Sequence, residues 1–429
     1  MQIAYPNLKQ RLLLNNLKYI FLLVICILPG TSIAQDLIFS DHVYEEYKEY
    51  IKTIRIISAT PGPDQELLPA AISMVDPGFL MLEFDDLFAE YERYQVKFIH
   101  CDADWTPSRL FPLDYLDQYN EFIIENYEFS FNTIVPYVHY SFQIPRFKLP
   151  GNYLLVVYKD SEDNVVITRR VLVYDQKFTM KENLEMAGLS RIGRMTQEIR
   201  FTLDYKGFDV PNPARNIKAI IRQNQRWDNA IINLRPTNVW ENSKIIEYKH
   251  FALENQFQGG NQFRFFDLRS IEYFGRNVET VDKSKDIPVA TIMKDKSRAN
   301  KAYSEYVDNN GGYKISHPID AEYVFTEFFL ESKKINGEVF IGGEINGWEL
   351  NTPLKYIEGK NVYYSSILIK EGYYDYQYVV KSLSIPLNYF EGDHFETENE
   401  YDILIYFHSF TLGADLLWGY FPITRNGRN

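Results

Sequence analysis

Alternation of apolar and polar residues is the main pattern along this chain. In the stretch YQVKFI the apolar residues Tyr94, Val96 and Phe98 alternate with polar ones, which is the period of a half-buried strand. Comparable segments include SFNTIVPYVHYSFQIP, GNYLLVVYKD and NVVITRRVLVYD, and turn signals such as PGPD, LPGN and SEDN separate them. The last two segments predict a hairpin. The pattern indicates an all-β protein.

Breaks in this pattern divide the chain into three blocks. We expect an immunoglobulin-like β-sandwich at residues 35–175, a β-rich middle domain at 176–315 and a third β-sandwich at 316–429, which is early-set-like because its motif VFIGGEINGWELN resembles early-set modules. The fold class is therefore predicted as tandem immunoglobulin-like and early-set β-sandwich domains. A content of 33 Tyr and 30 Phe favours this class, because aromatic side chains suit pleated, half-buried surfaces.

The N-terminal residues 1–34 predict a secretory signal peptide. Basic residues precede an apolar run from Tyr19 to Leu28, and small residues follow it. The run is about half the length that a membrane-spanning helix needs. We expect cleavage between Ala34 and Gln35 and a soluble mature chain, which would keep one cysteine and so no internal disulfide.

Charge is distributed unevenly along the expected mature chain. Its 42 basic and 58 acidic residues give a net charge of −16, which argues against nucleic acid as a partner. Residues 35–175 hold 11 basic and 24 acidic residues, residues 176–300 hold 21 and 15, and residues 301–429 hold 10 and 19. If a partner presents an acidic surface, the basic middle block predicts contacts through five arginines, namely Arg222, Arg226, Arg235, Arg264 and Arg269.

The stretch FIHCDADWTPS concentrates residues that could carry chemistry. They are His100, Cys101, Asp102, Asp104 and Trp105. A calcium loop starting at the first aspartate would need glycine sixth and glutamate twelfth, where the chain has proline and leucine. The histidine and cysteine are neighbours on a predicted strand and so point to opposite faces. We interpret the stretch as a strand running into an Asx-turn, and we expect no metal, cofactor or catalytic residue here.

A second motif, VFIGGEINGWELN, contains Asn346 and Trp348. It resembles the start of the early-set β-sandwich modules that bind starch-like glycans, in which exposed aromatic residues stack on sugar faces. We expect packing and turn roles for these residues. An exported glycan-binding or glycan-processing protein is the alternative function, because paired carboxylates for glycoside hydrolysis depend on the fold and not on sequence spacing. The chain has no Walker A loop and no G-x-S-x-G elbow.

Longer strings carry a more specific resemblance. They are YQVKFIHCDADWTPSRL, DYLDQYNEFIIENYEFSFNTIVPYVHYSFQIP, GNYLLVVY and YFEGDHFETENEYDILIYF. With them the chain resembles the plug proteins of the type IX secretion system. The resemblance implies a periplasmic protein without enzymatic activity, associated with the outer membrane through its partner. That partner would be a large outer-membrane β-barrel translocon, whose pore the plug closes when no substrate is bound. The resemblance assigns no individual contact residues.

Overall fold

The computed structural model describes residues 37–59, 64–75, 78–186, 195–250, 254–273 and 275–424. In these ranges nearly all regular structure is β-strand, and the two α-helices, α1 (Pro112–Tyr115) and α2 (Pro213–Asn216), are one turn each. Three 3-10 turns are also present, at Gln65–Leu67, Glu344–Asn346 and Glu358–Lys360. The predicted all-β class is confirmed. The predicted signal peptide and its cleavage site at Ala34 and Gln35 lie outside the described residues.

The first unit, residues 37–175, is a sandwich of two sheets. Its strands are β1 (His42–Val43), β2 (Ile51–Ser58), β3 (Ala71–Ser73), β4 (Leu80–Asp86), β5 (Tyr94–Cys101), β6 (Phe122–Ile123), β7 (Asn126–Phe129), β8 (Val138–Gln143), β9 (Gly151–Lys159) and β10 (Val165–Tyr174). One sheet has the order β1-β10-β9-β5-β6, with β3 beside β10, and the other has the order β2-β4-β8-β7. The predicted hairpin is confirmed as the antiparallel pair β9 and β10.

The middle unit combines strands from two distant parts of the chain. They are β11 (Thr179–Met186), β12 (Thr196–Asp204), β13 (Ile217–Gln223), β14 (Ile231–Leu234), β15 (Asn238–Trp240), β16 (Ile245–Tyr248), β17 (Gln256–Gln258), β28 (Glu400–Ser409) and β29 (Ala414–Thr424). One sheet runs β11-β12-β16-β15 with β17 beside β12, and the other runs β14-β13-β28-β29. The C-terminal hairpin therefore completes a sheet that begins near residue 217.

The third unit uses the intervening strands. They are β18 (Arg264–Leu268), β19 (Val278–Asp282), β20 (Val289–Ile292), β21 (Asp295–Lys296), β22 (Tyr313–Ile315), β23 (Tyr323–Glu331), β24 (Glu338–Gly342), β25 (Lys355–Ile357), β26 (Val362–Lys370) and β27 (Gly372–Lys381). One sheet runs β19-β20-β23-β26-β25 with β21 beside β23, and β27 joins β18, β22 and β24.

Hydrogen bonding between strands crosses the expected boundary at residues 315 and 316. Strand β13 pairs with β28, and strand β18 pairs with β27. The periodicity of a strand sets which of its faces is buried, but not which distant strand it joins. We therefore propose the first, middle and third units above as the domains, in place of the contiguous ranges 176–315 and 316–429.

The units share packed cores. Strand β28 is buried on both faces, so Ile403 and Ile405 pack into the middle unit while Leu404 and Tyr406 pack into the core of the first unit. Tyr406 also donates a hydrogen bond from its hydroxyl to Oδ1 of Asn152, at 2.8 Å. A continuous apolar core between the first and middle units opposes hinge motion between them.

Candidate functional site

The loop that follows β5 docks against the C-terminal hairpin. Oδ1 of Asp102 accepts the backbone N–H of Asp415 at 2.8 Å, and the N–H of Ala103 donates to Oδ2 of Asp415 at 3.1 Å. Lys218 Nζ lies 2.6 Å from the same Asp415 carboxylate, and His408 Nδ1 lies 2.8 Å from it. Burial would raise the pKa of Asp415, but these partners outweigh it and hold the pKa below its usual range. The arrangement joins the first unit to the middle unit.

Within this loop the backbone turns sharply. Oδ1 of Asp104 accepts the N–H of Thr106 at 3.1 Å and its hydroxyl at 2.6 Å, which is an Asx-turn. Trp105 has a φ of 65°, in the left-handed region, and its ring meets Trp227 of the middle unit edge to face at 5.2 Å. The loop side chains therefore serve a joint between units, which the sequence pattern alone does not reveal.

His100 and Cys101 are both buried. Nδ1 of His100 lies 2.9 Å from the Ser108 hydroxyl, and burial lowers the pKa of the ring to about 4. Burial raises the pKa of the Cys101 thiol to about 12. A Cβ at Gly151 would lie 2.1 Å from Nε2 of His100, so glycine is needed for this close approach. At neutral pH the pair is a neutral imidazole and a thiol, without the thiolate that nucleophilic chemistry needs.

A central cleft of about 1890 Å³ opens where the three units meet. Arg222 forms a bidentate ion pair with Asp402, with N–O distances of 2.8 and 2.5 Å. Its guanidinium lies 4.5 Å from the Trp227 ring centroid. Arg226 lies 3.6 Å from the Trp348 ring centroid. Arg222 therefore joins two neighbouring strands of the middle unit, whereas Arg226 links the middle unit to the third unit.

Trp348 and Asn346 occupy a tight turn at the edge of the cleft. Trp348 has a φ of 59°, and Phe263 contacts its ring at 6.0 Å. Nδ2 of Asn346 donates to the backbone carbonyl of Ile341 at 2.8 Å. Because Arg226 covers one face of the indole, that face is closed to the sugar stacking that motivated the glycan alternative.

The remaining predicted arginines differ in exposure. Arg264 is buried, with Nε 2.9 Å from Glu391 Oε1, so together with Arg222 it is withdrawn from any surface that a partner could reach. Arg269 has a 61% exposed side chain although it pairs with Asp267 at 2.6 Å. Arg235 is exposed and has no ion pair within the described residues. A partner contact by the two exposed arginines stays a prediction.

A buried ionic cluster joins the first unit to the third. Nζ of Lys370 lies 2.7 Å from Oδ2 of Asp85, and both side chains are fully buried. The Tyr323 hydroxyl donates to the same oxygen at 2.6 Å, and His139 Nδ1 lies 2.7 Å from Oδ1. Burial alone would raise the pKa of Asp85, but His139 and Lys370 together lower it. Asp85 therefore carries a charge that its partners compensate.

An exposed aromatic edge lies at the ends of the two sheets of the first unit, where β6 and β7 are the last strands. We call residues 122–129, which form β6, the crossing between the sheets and β7, the open edge. Tyr127 is 41% exposed and Phe129 is 55% exposed, and nearby Tyr91 is 48% exposed. These residues were not predicted from the sequence as a site. The sequence does contain a signal for an exposed aromatic surface here, because residues 110–145 hold five acidic and no basic residues among many aromatic ones.

Neither a cluster of three or more His, Cys, Asp or Glu side chains able to hold a metal ion, nor a helix long and apolar enough to cross a membrane, occurs in the part of the chain that the structure describes.

The fold and these contacts define a class of protein: an interlocked assembly of three β-sandwich units with polar joints between them. Residues 51–175 match the family model described as "Type 9 secretion system plug protein 1st domain". The match ends at the last residue of the first unit. The resemblance to the plug proteins of the type IX secretion system is confirmed over this range.

Comparison with solved structures extends the likeness in fold. The crystal structure of a hypothetical protein from Parabacteroides merdae aligns with a TM-score of 0.82 and 24% sequence identity, covering 91% of this chain and 100% of that one. At this identity the likeness concerns the fold. No curated protein matches the chain.

Proposed function

We propose that this chain is a non-enzymatic periplasmic plug, which closes the pore of the large outer-membrane β-barrel translocon of the type IX secretion system when no substrate is bound. The observation that carries the proposal is the match of residues 51–175 to the first domain of the plug proteins.

The joints between units fit such a role. A barrel wide enough for folded cargo would leak small solutes unless a folded body blocked it. A blocking body must keep its shape under load. The continuous core around Tyr406, the Asp415 joint and the buried Asp85–Lys370 pair each resist separation of the units.

Permeability of living cells tests pore closure. Deletion of the gene should admit large antibiotics that ordinary porins exclude, and re-expression of the wild-type chain should restore exclusion. The effect should disappear in a strain that also lacks the translocon barrel. Unchanged permeability in the single deletion, or increased permeability that persists without the barrel, would contradict the proposal.

Copurification tests the partner. Under mild detergent the chain should be recovered with a large outer-membrane barrel. Retention on a polysaccharide column without any barrel would instead favour the glycan-binding alternative.

A further inference from the structure

The two sheets of the first unit end differently at their two sides. At one side, His42 of β1 lies 2.8 Å from Glu349, and Thr53 of β2 lies 2.5 Å from the Tyr323 hydroxyl, so both edge strands contact the third unit and line the cleft. On the other side, β6 and β7 are the last strands of their sheets. The open edge therefore faces solvent at the same side of both sheets.

Backbone groups of β7 are available for another strand. In an antiparallel pair, every second residue directs its N–H and C=O groups towards the partner strand. Ser130 donates its N–H to the Tyr137 carbonyl, so the backbone groups of residues 128 and 126 also point towards β8. The N–H and C=O groups of Tyr127 and Phe129 therefore point away from β8. The opening ends at Phe131, whose N–H donates to Ile319 of the third unit.

Side chains on the inner face of β7 also lack a cover. Tyr127 and Phe129 pair across the sheet with Tyr140 and Val138, which are fully buried, whereas they themselves stay about half exposed. The Tyr127 ring contacts the ring of Tyr91 at 4.6 Å. This inner face continues the core, and it is exposed because no strand follows β7 in its sheet.

The outer face of β7 carries one carboxylate, and a second precedes the strand. Glu128 alternates with the two aromatic residues and so lies on the other face of β7, and Glu125 precedes the strand. Neither carboxylate has an ion pair within the described residues, and both residues are exposed. Proteins protect an exposed edge by keeping it short or by placing charged residues, proline or a bulge on it. Strand β7 is short and carries Glu128, but its four residues contain no lysine or proline.

We propose that the open edge accepts an extended segment of a partner polypeptide as an additional strand. In that segment, apolar residues would face Tyr127 and Phe129, and lysine or arginine residues would alternate with them and face Glu128. Two residues with outward backbone groups offer at most about four hydrogen bonds, so side-chain contacts must contribute to affinity. This proposal goes beyond pore closure, because it is drawn from the exposed groups of the open edge and not from the family match.

A displayed library of random nonapeptides, selected on the purified mature chain, tests the proposal. We expect enriched peptides to alternate apolar residues with lysine or arginine. A selected peptide should bind the Glu125→Gln/Glu128→Gln variant at least fivefold more weakly than wild type. Enrichment without this alternation, or no enrichment, would overturn the proposal.

A matched pair of variants separates backbone pairing from side-chain contact. Phe129→Pro and Phe129→Ala both remove the ring, but only proline removes the outward N–H, and an edge strand tolerates proline at such a position. We expect the proline variant to bind the selected peptide at least tenfold more weakly than the alanine variant. Equal binding would refute strand addition.

Hydrogen exchange on the wild-type chain provides a second readout that needs no variant. Binding of the selected peptide should slow exchange of the Tyr127 and Phe129 amides at least tenfold. Unchanged exchange of both amides under saturation would refute strand addition. These tests use no barrel, so their failure would leave the permeability test of pore closure untouched.

Discussion

Replacing Lys370 by methionine perturbs the joint between the first and third units in a defined way. Methionine keeps a long apolar side chain but removes the ammonium group that lies 2.7 Å from Asp85. The Asp85 carboxylate would keep the Tyr323 hydroxyl and His139 as partners. It would lose its compensating cation in a site without solvent contact.

The expected loss follows from this burial. Removing one member of a buried ion pair leaves an uncompensated charge, which costs about 3–5 kcal/mol. We expect Lys370→Met to lower the free energy of unfolding by this amount. The double variant Asp85→Asn/Lys370→Met should recover at least half of the loss, because no buried charge remains.

Urea unfolding followed by fluorescence measures the effect. Lys334→Met is a matched control, since Lys334 forms an ion pair with Glu358 at 2.8 Å while both side chains are more than half exposed. It should leave the midpoint unchanged, as exposed pairs contribute little. If both single variants behave alike, or if the double variant is no more stable than Lys370→Met, then Lys370 does not compensate a buried charge on Asp85.

Acidification gives an independent check on the same pair. The pKa of folded Asp85 is below its unfolded value, so its contribution is present above the unfolded pKa and is lost as pH falls through the folded one. Without Lys370 the pKa of Asp85 should rise, so in the variant the Asp85 carboxylate should take up its proton at a higher pH. The difference in free energy of unfolding between wild type and Lys370→Met should therefore become smaller as the pH is lowered from 7 to 4. A constant difference would contradict the assignment of a buried charge to Asp85.

Three further predictions concern other sites. Burial and the neighbouring Asp308 raise the pKa of Asp375 to about 8, so the contribution of this one residue to stability is full below its unfolded pKa and falls by about 1.4 kcal/mol per pH unit until the folded pKa is passed; thermal melts should show Asp375→Asn more stable than wild type at pH 8.5, with the difference shrinking towards pH 5. Cys101→Ser should lower the free energy of unfolding, measured in urea, by about 1 kcal/mol or more, since it places a hydroxyl in an apolar core. The variant should still complement a deletion strain at permissive temperature. A variant with normal stability but no function would indicate a chemical role for the thiol. Arg235→Gln/Arg269→Gln should slow association with the empty barrel and flatten its salt dependence, because exposed charges steer encounter and are screened by salt; wild-type rates across a salt series would remove both residues from the interface.

Local features of the fold were readable from the sequence. The segments GNYLLVVYKD and NVVITRRVLVYD gave a correct hairpin prediction because their pairing needs only a short turn and matching periodicity. The strand at YQVKFI extends to Cys101, as the alternation of its side chains indicates. Fold class follows from many such local patterns together.

Long-range partners were decided only by the tertiary structure. The apolar run YDILIYFHSF predicts a strand, yet its position between the cores of two units depends on pairing with β13, far upstream in the chain. Likewise, a net positive middle block could not show that Arg222 is buried against Asp402 while Arg235 is exposed. In the sequence, the half-exposed Tyr127 cannot be distinguished from an aromatic residue of the core. Periodicity and charge count are properties of neighbouring residues, whereas burial, ion pairing and an uncovered sheet edge arise where distant segments meet or fail to meet.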